Sequence, residues 1–317
     1  SADCDFKEST AYTYSLNDTE KIEKEYNALS KLGAPIKADT KISLPFKVSA
    51  IVGLQGQAEF NPLKFIKYIA EGLDIYENTR ILEVNDNVAY YSGGKIMAQK
   101  IIIATHFPFI NKHGFYFLKQ YQYRSYVIAL ENAPNVGGMY VDEAEGGLSF
   151  RNYGNFLLLG GCGARTGKPC GNWTKLTEYK EKYYPNSKEK YRWATQDCMS
   201  LDKIPFIGKY SAKMPNLLVA TGFNKWGMTS SIVSAMILTD MIKGTKNEYA
   251  DIFDPSRSIL KPQLAINCFE TLANYIIPTT KRCPHLGCAL KWNKYERSWD
   301  CSCHGSRFEK QGKLINN

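Results

Sequence analysis

No apolar run in this chain approaches the ~20 residues a helix needs to cross a bilayer. The longest candidate, Ile232 to Ile242, is broken by Ser234, Thr239 and Asp240. Nor does a charged and then apolar leader open the sequence, so neither a membrane anchor nor a secretory signal is expected. A G-x-G-x-x-G fingerprint following an N-terminal strand is also missing, and that is the loop that cradles a dinucleotide pyrophosphate. Gly160-Gly161-Cys162-Gly163 has a different spacing, and Gly53 and Gly56 do not open a helix. Long basic runs, nucleic-acid motifs, repeats and low-complexity stretches are lacking. The lysines behind the net charge of +9 are spread out, the pattern of a solvated basic surface. Histidine is scarce, with four in 317 residues.

That length suits about two domains, and 44% hydrophobic residues supply a sizeable core. The nine cysteines are unevenly placed. Cys4, Cys162, Cys170, Cys198 and Cys268 are scattered, which fits a reduced, cytoplasmic protein. Cys283, Cys288, Cys301 and Cys303 crowd into the last 35 residues, beside two of the four histidines.

Those residues form two short groups. Cys283-Pro284-His285 is followed, after fifteen residues, by Cys301-Ser302-Cys303-His304. Each group offers one thiolate and one imidazole at C-x-H or C-x-x-H spacing. A Rieske [2Fe–2S] centre needs that set, with two thiolates on one iron and two histidines on the other. The same four residues could make a tetrahedral zinc site. An oxygenase would need a further iron held by two histidines and a carboxylate. Only His106 and His113 remain for it, at the wrong spacing.

The flanking residues, CPHLGC and CSCHGS, resemble the Rieske proteins of cytochrome bc complexes. That resemblance implies a disulfide between Cys288 and Cys303, clamping the two cluster loops. It implies that Gly287 and Gly305 let backbone approach the cluster, and that Ser306 hydrogen-bonds a cluster sulfur. Phe308 departs from the pattern, because high-potential members carry a tyrosine there whose hydroxyl donates to a ligand sulfur. Phenylalanine cannot donate, so a lower potential is expected. Lys281, Arg282, Lys291, Lys294, Arg297, Arg307, Lys310 and Lys313 surround the loops and would steer an acidic redox protein.

Upstream, helices are expected over residues 18–32, 61–73, 173–183 and 227–242. In the second, Asn61 caps, Pro62 starts, and Leu63, Ile66, Ile69 or Ala70, and Leu73 form a stripe expected to be buried. Short strands are expected at 74–76, 80–85, 87–91 and 96–98, then at 127–130, 156–159 and 217–221. Residues 101–105 read as a strand buried on both faces. Residues 244–262 read as a linker. Tyr121, Tyr123 and Tyr126 alternate at strand spacing and are expected to pack.

Two pieces carry more. Lys100 begins KIIIATHFPF, and Asn216 begins NLLVATGFNKWGMTSSIVSAMI, a strand, a glycine turn and a helix. With Leu201-Asp202-Lys203-Ile204-Pro205-Phe206-Ile207-Gly208 just before, this order resembles the flavin-dependent amino-acid oxidase family, which includes D-amino-acid oxidase and glycine oxidase. The resemblance runs over roughly residues 1–245 and implies that Gly222, Phe223, Asn224, Gly227, Met228 and Thr229 contact the flavin. Lys225 and Trp226 share that turn, although Trp226 could equally be core. Ser149-Phe150-Arg151-Asn152-Tyr153-Gly154-Asn155 resembles the strand whose arginine takes a substrate carboxylate, which makes Arg151 the candidate. His106 is either structural or near the flavin. No catalytic acid or base is assigned.

The expected fold is therefore α+β. A substrate domain and partial FAD-binding domain of amino-acid oxidase type fill residues 1–250, and a small all-β Rieske domain fills 251–317. The expected role is an oxidoreductase that oxidises a small amine or amino acid and passes electrons through a [2Fe–2S] cluster. FAD is expected in the full-length protein and doubtful in a chain without the fingerprint, and truncation at both ends is expected. A pure electron-transfer or scaffold module without its own flavin, and a zinc-stabilised domain, are the competing expectations.

Overall fold

Local signals place most elements. Asp18 accepts from the Lys21 amide (3.2 Å) and starts the helix Thr19–Lys31. Asn61 accepts from the amides of Leu63 and Lys64, with Pro62 in the first turn of Pro62–Ala70. Asn172 does the same for Trp173–Tyr183 through the Thr174 amide (2.7 Å). The computed structural model describes residues 2–37, 42–110, 114–168, 172–285 and 287–316; His113 and Cys170 lie outside them. Two units interleave in sequence. Ser1–Ile75, Ser125–Ala164 and Cys170–Thr195 form one, and Tyr76–Arg124, Arg165–Pro169 and Gln196–Asn317 the other.

The first unit is built on an eight-stranded sheet in the order Lys188–Ser200, Gln120–Glu131, Phe156–Arg165, Ser149–Tyr153, Met139–Asp142, Lys7–Ser15, Ala50–Glu59, Ile36–Lys37. Lys7–Ser15 pairs antiparallel with Ala50–Glu59 and parallel with Met139–Asp142. Alternate residues point one way, so Tyr126, Ile128 and Leu130 meet Leu157 and Leu159 in a core with Tyr14, Phe150 and Leu176. The Pro62–Ala70 stripe does not join it. Leu63 is 77% exposed and Ile66 51%, and no residue of that helix is buried. Periodicity identified residues that share a face; it cannot say whether anything covers that face.

In the second unit, Phe206–Ser211, Met214–Thr221 and Ile101–Ile103 form a three-stranded sheet. Ile101–Ile103 lies parallel to Leu217–Val219 at the sheet edge. The strand expected to be buried on both faces is therefore covered on one, and Ile102 is 44% exposed. The helix Gly227–Lys243 buries Ile237 and Leu238 and stops at Gly244, whose φ of 73° closes the C-terminus. Residues 74–76 form no strand, and the hairpins run Ile81–Asn85, Val88–Tyr91 and Gly94–Met97.

The expected linker is anchored. Arg257 grips Asp202 with Nε and Nη2, both at 2.9 Å, and its guanidinium lies 3.9 Å over the Phe206 ring. A helix, Pro262–Ile276, follows where none was expected. Its pattern is inverted, with Asn267 and Asn274 buried and Ile266, Phe269 and Leu272 exposed. A four-stranded antiparallel sheet follows, Leu290–Asn293, Ser298–Cys301, Arg307–Phe308 and Leu314–Asn316. No helix among the described residues is long and apolar enough to cross a membrane.

Candidate metal centre

The two Cys/His groups sit on loops with matching backbones. In the first, the Cys283 amide donates to the Cys288 carbonyl and the Gly287 amide returns to the Cys283 carbonyl, both at 2.9 Å. In the second, the Cys301 amide donates to Ser306 and the Gly305 amide returns to Cys301, again at 2.9 Å. Gly287 and Gly305 have φ of 74° and 81°, a left-handed turn that other residues adopt only under strain. Each loop thus curls around its first cysteine.

The loops face each other. The His285 and His304 rings meet edge to face at 5.0 Å. Cys283, Cys288, Cys301 and Cys303 pack in one buried cluster with Phe308. The sulfurs of Cys288, Cys301 and Cys303 lie within 4.8 Å of one another. Cys301 is held well below the usual thiol range, first by the thiol of Cys283 and then by those of Cys288 and Cys303. Cys283 moves the other way, pushed up by its bond to Cys301 and by burial, while the Ser306 hydroxyl pulls it down.

The donor set fits an iron–sulfur group. His304 is 2% exposed, yet both of its ring nitrogens are buried without a hydrogen-bond partner. Leaving such groups unpaired is costly, and a metal ion would satisfy one of them. Ser306 is buried beside Cys283, where a hydroxyl can reach a ligand sulfur. Phe308 packs in the same cluster and brings no hydrogen-bond donor to it. Phe308→Tyr is therefore expected to raise the reduction potential, measured by titrating the reduced EPR signal. An unchanged midpoint would remove the missing hydroxyl as an explanation. Cys288 and Cys303 are free thiols here.

The second loop, with Ser298, is almost wholly buried. Much of its cover comes from residues the sequence reading missed. Gln196 donates to the Gly305 carbonyl (3.1 Å), and the Gln122 side chain occupies the space a Cβ at 305 would need. Phe107 and Phe117 flank the His304 ring at 6.2 and 5.9 Å. Arg124 forks onto Glu296, which also takes Arg307 (2.9 Å), and Arg307 reaches Asp300 (3.0 Å). No spacing rule links these residues, which are up to 172 positions apart.

The flavin-side residues are placed less uniformly. Gly222 has φ of 71°, and a Cβ there would meet Gln120 at 2.9 Å, so its smallness serves internal packing. Asn224 is buried and accepts from the Ser200 amide (3.0 Å), while its own amide nitrogen caps the Gly222 carbonyl (2.9 Å). Phe223 packs onto the core around Ile237. Gly227 borders open space and opens its helix without a side-chain cap, with Met228 and Thr229 exposed beside it. Trp226, read as flavin-facing or core, is 67% exposed and belongs to no core. Lys225 lies 4.3 Å over the Tyr123 ring. His106 has φ of 63° and contacts Gln122 (3.2 Å), with its pKa lowered by burial. Tyr123 and Tyr126 pack as expected. In the first unit, Arg151 is paired with Glu59 (3.3 Å), which also lines a polar cleft of about 590 Å³ with Lys7 and Asn152.

Known proteins share this arrangement. The model of the FAD dependent oxidoreductases matches residues 1–241. The chain belongs to the FAD dependent oxidoreductase family. The Rieske [2Fe-2S] domain model matches residues 259–317 of this oxidoreductase. The putative Rieske 2Fe-2S iron-sulfur protein YhfW of Bacillus subtilis is 32% identical over 99% of this chain and 74% of its own length. The cytochrome b6-f complex iron-sulfur subunit of Microcystis aeruginosa is 46% identical, over 14% of this chain and 25% of its own. Glycine oxidase from Geobacillus kaustophilus has the same fold, with a TM-score of 0.68 at 15% identity, over 81% of this chain and 77% of that one. The fold is thus a mixed amino-acid-oxidase-like α/β body followed by a small antiparallel Rieske domain, and its cofactors are FAD and a [2Fe–2S] cluster. Gly227 borders open space at the start of its helix, whereas the sequence contains no pyrophosphate fingerprint.

Proposed function

We propose that this oxidoreductase removes electrons in pairs from a small amine or amino acid and passes them singly to a redox protein, with Cys283, His285, Cys301 and His304 as ligands of the [2Fe–2S] cluster. One observation carries the reading: two loops of matching backbone bring two thiols and two imidazoles together, with His304 buried and its nitrogens unpartnered. The bound cluster supplies one-electron transfer and needs no proton from the protein. The chain's part is to fix the ligands and exclude water. Gly287 and Gly305 close the loops, Ser306 donates to Cys283, and Phe107 and Phe117 shield His304.

Four finer assignments belong to the same proposal. A Cys288–Cys303 disulfide would clamp the loops, and the short sulfur separations support it. The amine or amino-acid substrate is supported by neighbours entitled glycine oxidase and L-proline dehydrogenase. Arg151 would bind the substrate carboxylate only after releasing Glu59. The exposed basic residues around the loops, Lys281, Arg282, Lys294, Arg297, Lys310 and Lys313, support an acidic redox partner, whereas Arg307 is buried in ion pairs and takes no part.

The test is anaerobic purification with iron, sulfide, zinc and flavin quantified together, and an EPR spectrum after reduction. Two irons and two sulfides per chain with a rhombic Rieske signal are expected. Zinc without sulfide would replace the redox reading with a structural metal, which the close trio Cys288, Cys301 and Cys303 could hold together with a histidine. A cluster without flavin would favour a pure electron-transfer module.

A further inference from the structure

We infer that Arg165, which lies outside the Rieske domain, is a positioning and charge-setting residue that raises the reduction potential of the cluster. This rests on the cluster reading above. Arg165 ends the strand Phe156–Arg165, and its Nε donates to the carbonyl of Ser302 (3.2 Å). Ser302 stands between Cys301 and Cys303 on the buried second loop. The next turn is seated on the same residue, since the Ser302 hydroxyl donates to the Gly167 carbonyl (3.3 Å).

The guanidinium is held from three sides. Its Nη1 donates to Asn267 Oδ1 (2.8 Å), and its plane lies 5.0 Å from the Tyr121 ring. Asn267 is fixed in turn, since its amide donates to the Leu118 carbonyl (3.1 Å). This accounts for the buried asparagine of the inverted helix, because a leucine at 267 would leave Arg165 unsupported. Burial acts against the charge of Arg165, whereas the Glu270 carboxylate and the sulfurs of Cys303 and Cys301 favour it. Glu270 is itself paired with Lys168, so the local sum stays positive.

Reduction adds one negative charge to the cluster. A fixed cation beside the ligand loop stabilises the reduced form more than the oxidised one, and low local dielectric enlarges the difference. Lysine would keep the charge and lose the fork, and glutamine would lose the charge and keep a donor.

The experiment is an EPR-monitored redox titration of the full chain as purified anaerobically, with iron, sulfide and g-values recorded for each variant. In Arg165→Gln, the ratio of reduced to oxidised cluster at the native midpoint should fall about tenfold, or about 59 mV for one electron. Arg165→Lys should fall by no more than about threefold. Glu270→Gln removes a nearby negative charge and should move the ratio the other way by about threefold. Opposite shifts cannot both arise from loosened packing, and Glu270→Gln stays informative if Arg165→Gln fails to fold. Unshifted midpoints with a full cluster, or equal falls for the lysine and glutamine variants, would overturn the proposal. A native chain with no Rieske signal would instead defeat the cluster reading on which it stands.

Discussion

Cys283→Ser, Cys301→Ser, His285→Ala and His304→Ala are each expected to abolish the reduced Rieske EPR signal and the acid-labile sulfide. Each removes one of the four proposed ligands, and a Rieske centre needs two thiolates and two imidazoles. Cys288→Ser and Cys303→Ser are expected to behave differently. They should retain the signal in fresh anaerobic protein and lose it faster in air or mild denaturant, because they would remove the proposed disulfide and leave the four proposed ligands in place. The distinction is sharp here because spatial proximity alone points elsewhere. Among the described residues, the sulfurs of Cys288, Cys301 and Cys303 form a close group, and two of these residues are outside the proposed ligand set. If Cys288→Ser removed all bound metal while Cys283→Ser kept it, that trio would be the true site, and a zinc reading would follow. Metal analysis beside sulfide analysis separates the two results.

Legibility in the sequence tracked the range of the interaction. The cluster loops could be read because their chemistry is local. The C-x-H and C-x-x-H spacings, the closing glycines and Ser306 lie within six residues of one another in each box, and the backbone bonds of Cys283 and Cys301 repeat that unit. Helix starts at Asp18, Asn61 and Asn172 were readable for the same reason. The covering of the loops was not. Gln122, Gln196, Arg124 and Arg165 reach the cluster domain from strands more than 100 residues upstream. Nothing in a polar residue on an alternating strand announces a buried carbonyl as its target. Burial failed in a related way. The Pro62–Ala70 helix and the Pro262–Ile276 helix both turn apolar residues outward, and in the second the inward positions are asparagines answering Arg165 and the backbone. The strand expected at 127–130 lies inside Gln120–Glu131, where Ile128 and Leu130 join the core as an apolar run should.

The largest stability effect is expected at Arg307. It lies in the buried network Arg124, Glu296, Arg307 and Asp300, two cations and two carboxylates with side chains at most 9% exposed. Ser298 donates to the same Asp300 oxygen as Arg307 (2.7 Å), and Asn293 donates to the other (3.1 Å). Burying this set cost desolvation that only mutual pairing offsets, so removing one member is worse than removing a matched pair. Arg307→Met should destabilise the protein by about 3–5 kcal/mol, because buried Asp300 loses the only cation paired with it among the described residues. The double variant Arg307→Met/Asp300→Asn should cost less than the sum of its single changes by about 1–3 kcal/mol. Chemical denaturation of cluster-loaded protein, followed by the cluster absorption and by far-ultraviolet dichroism, measures both. Cluster loss and global unfolding should coincide in the native protein, since Arg124 ties the cluster sheet to a strand of the oxidoreductase through Glu296. Additive single and double effects would mean that Arg307 and Asp300 are not energetically coupled. Cluster release well before unfolding would mean that this network does not hold the loops in place.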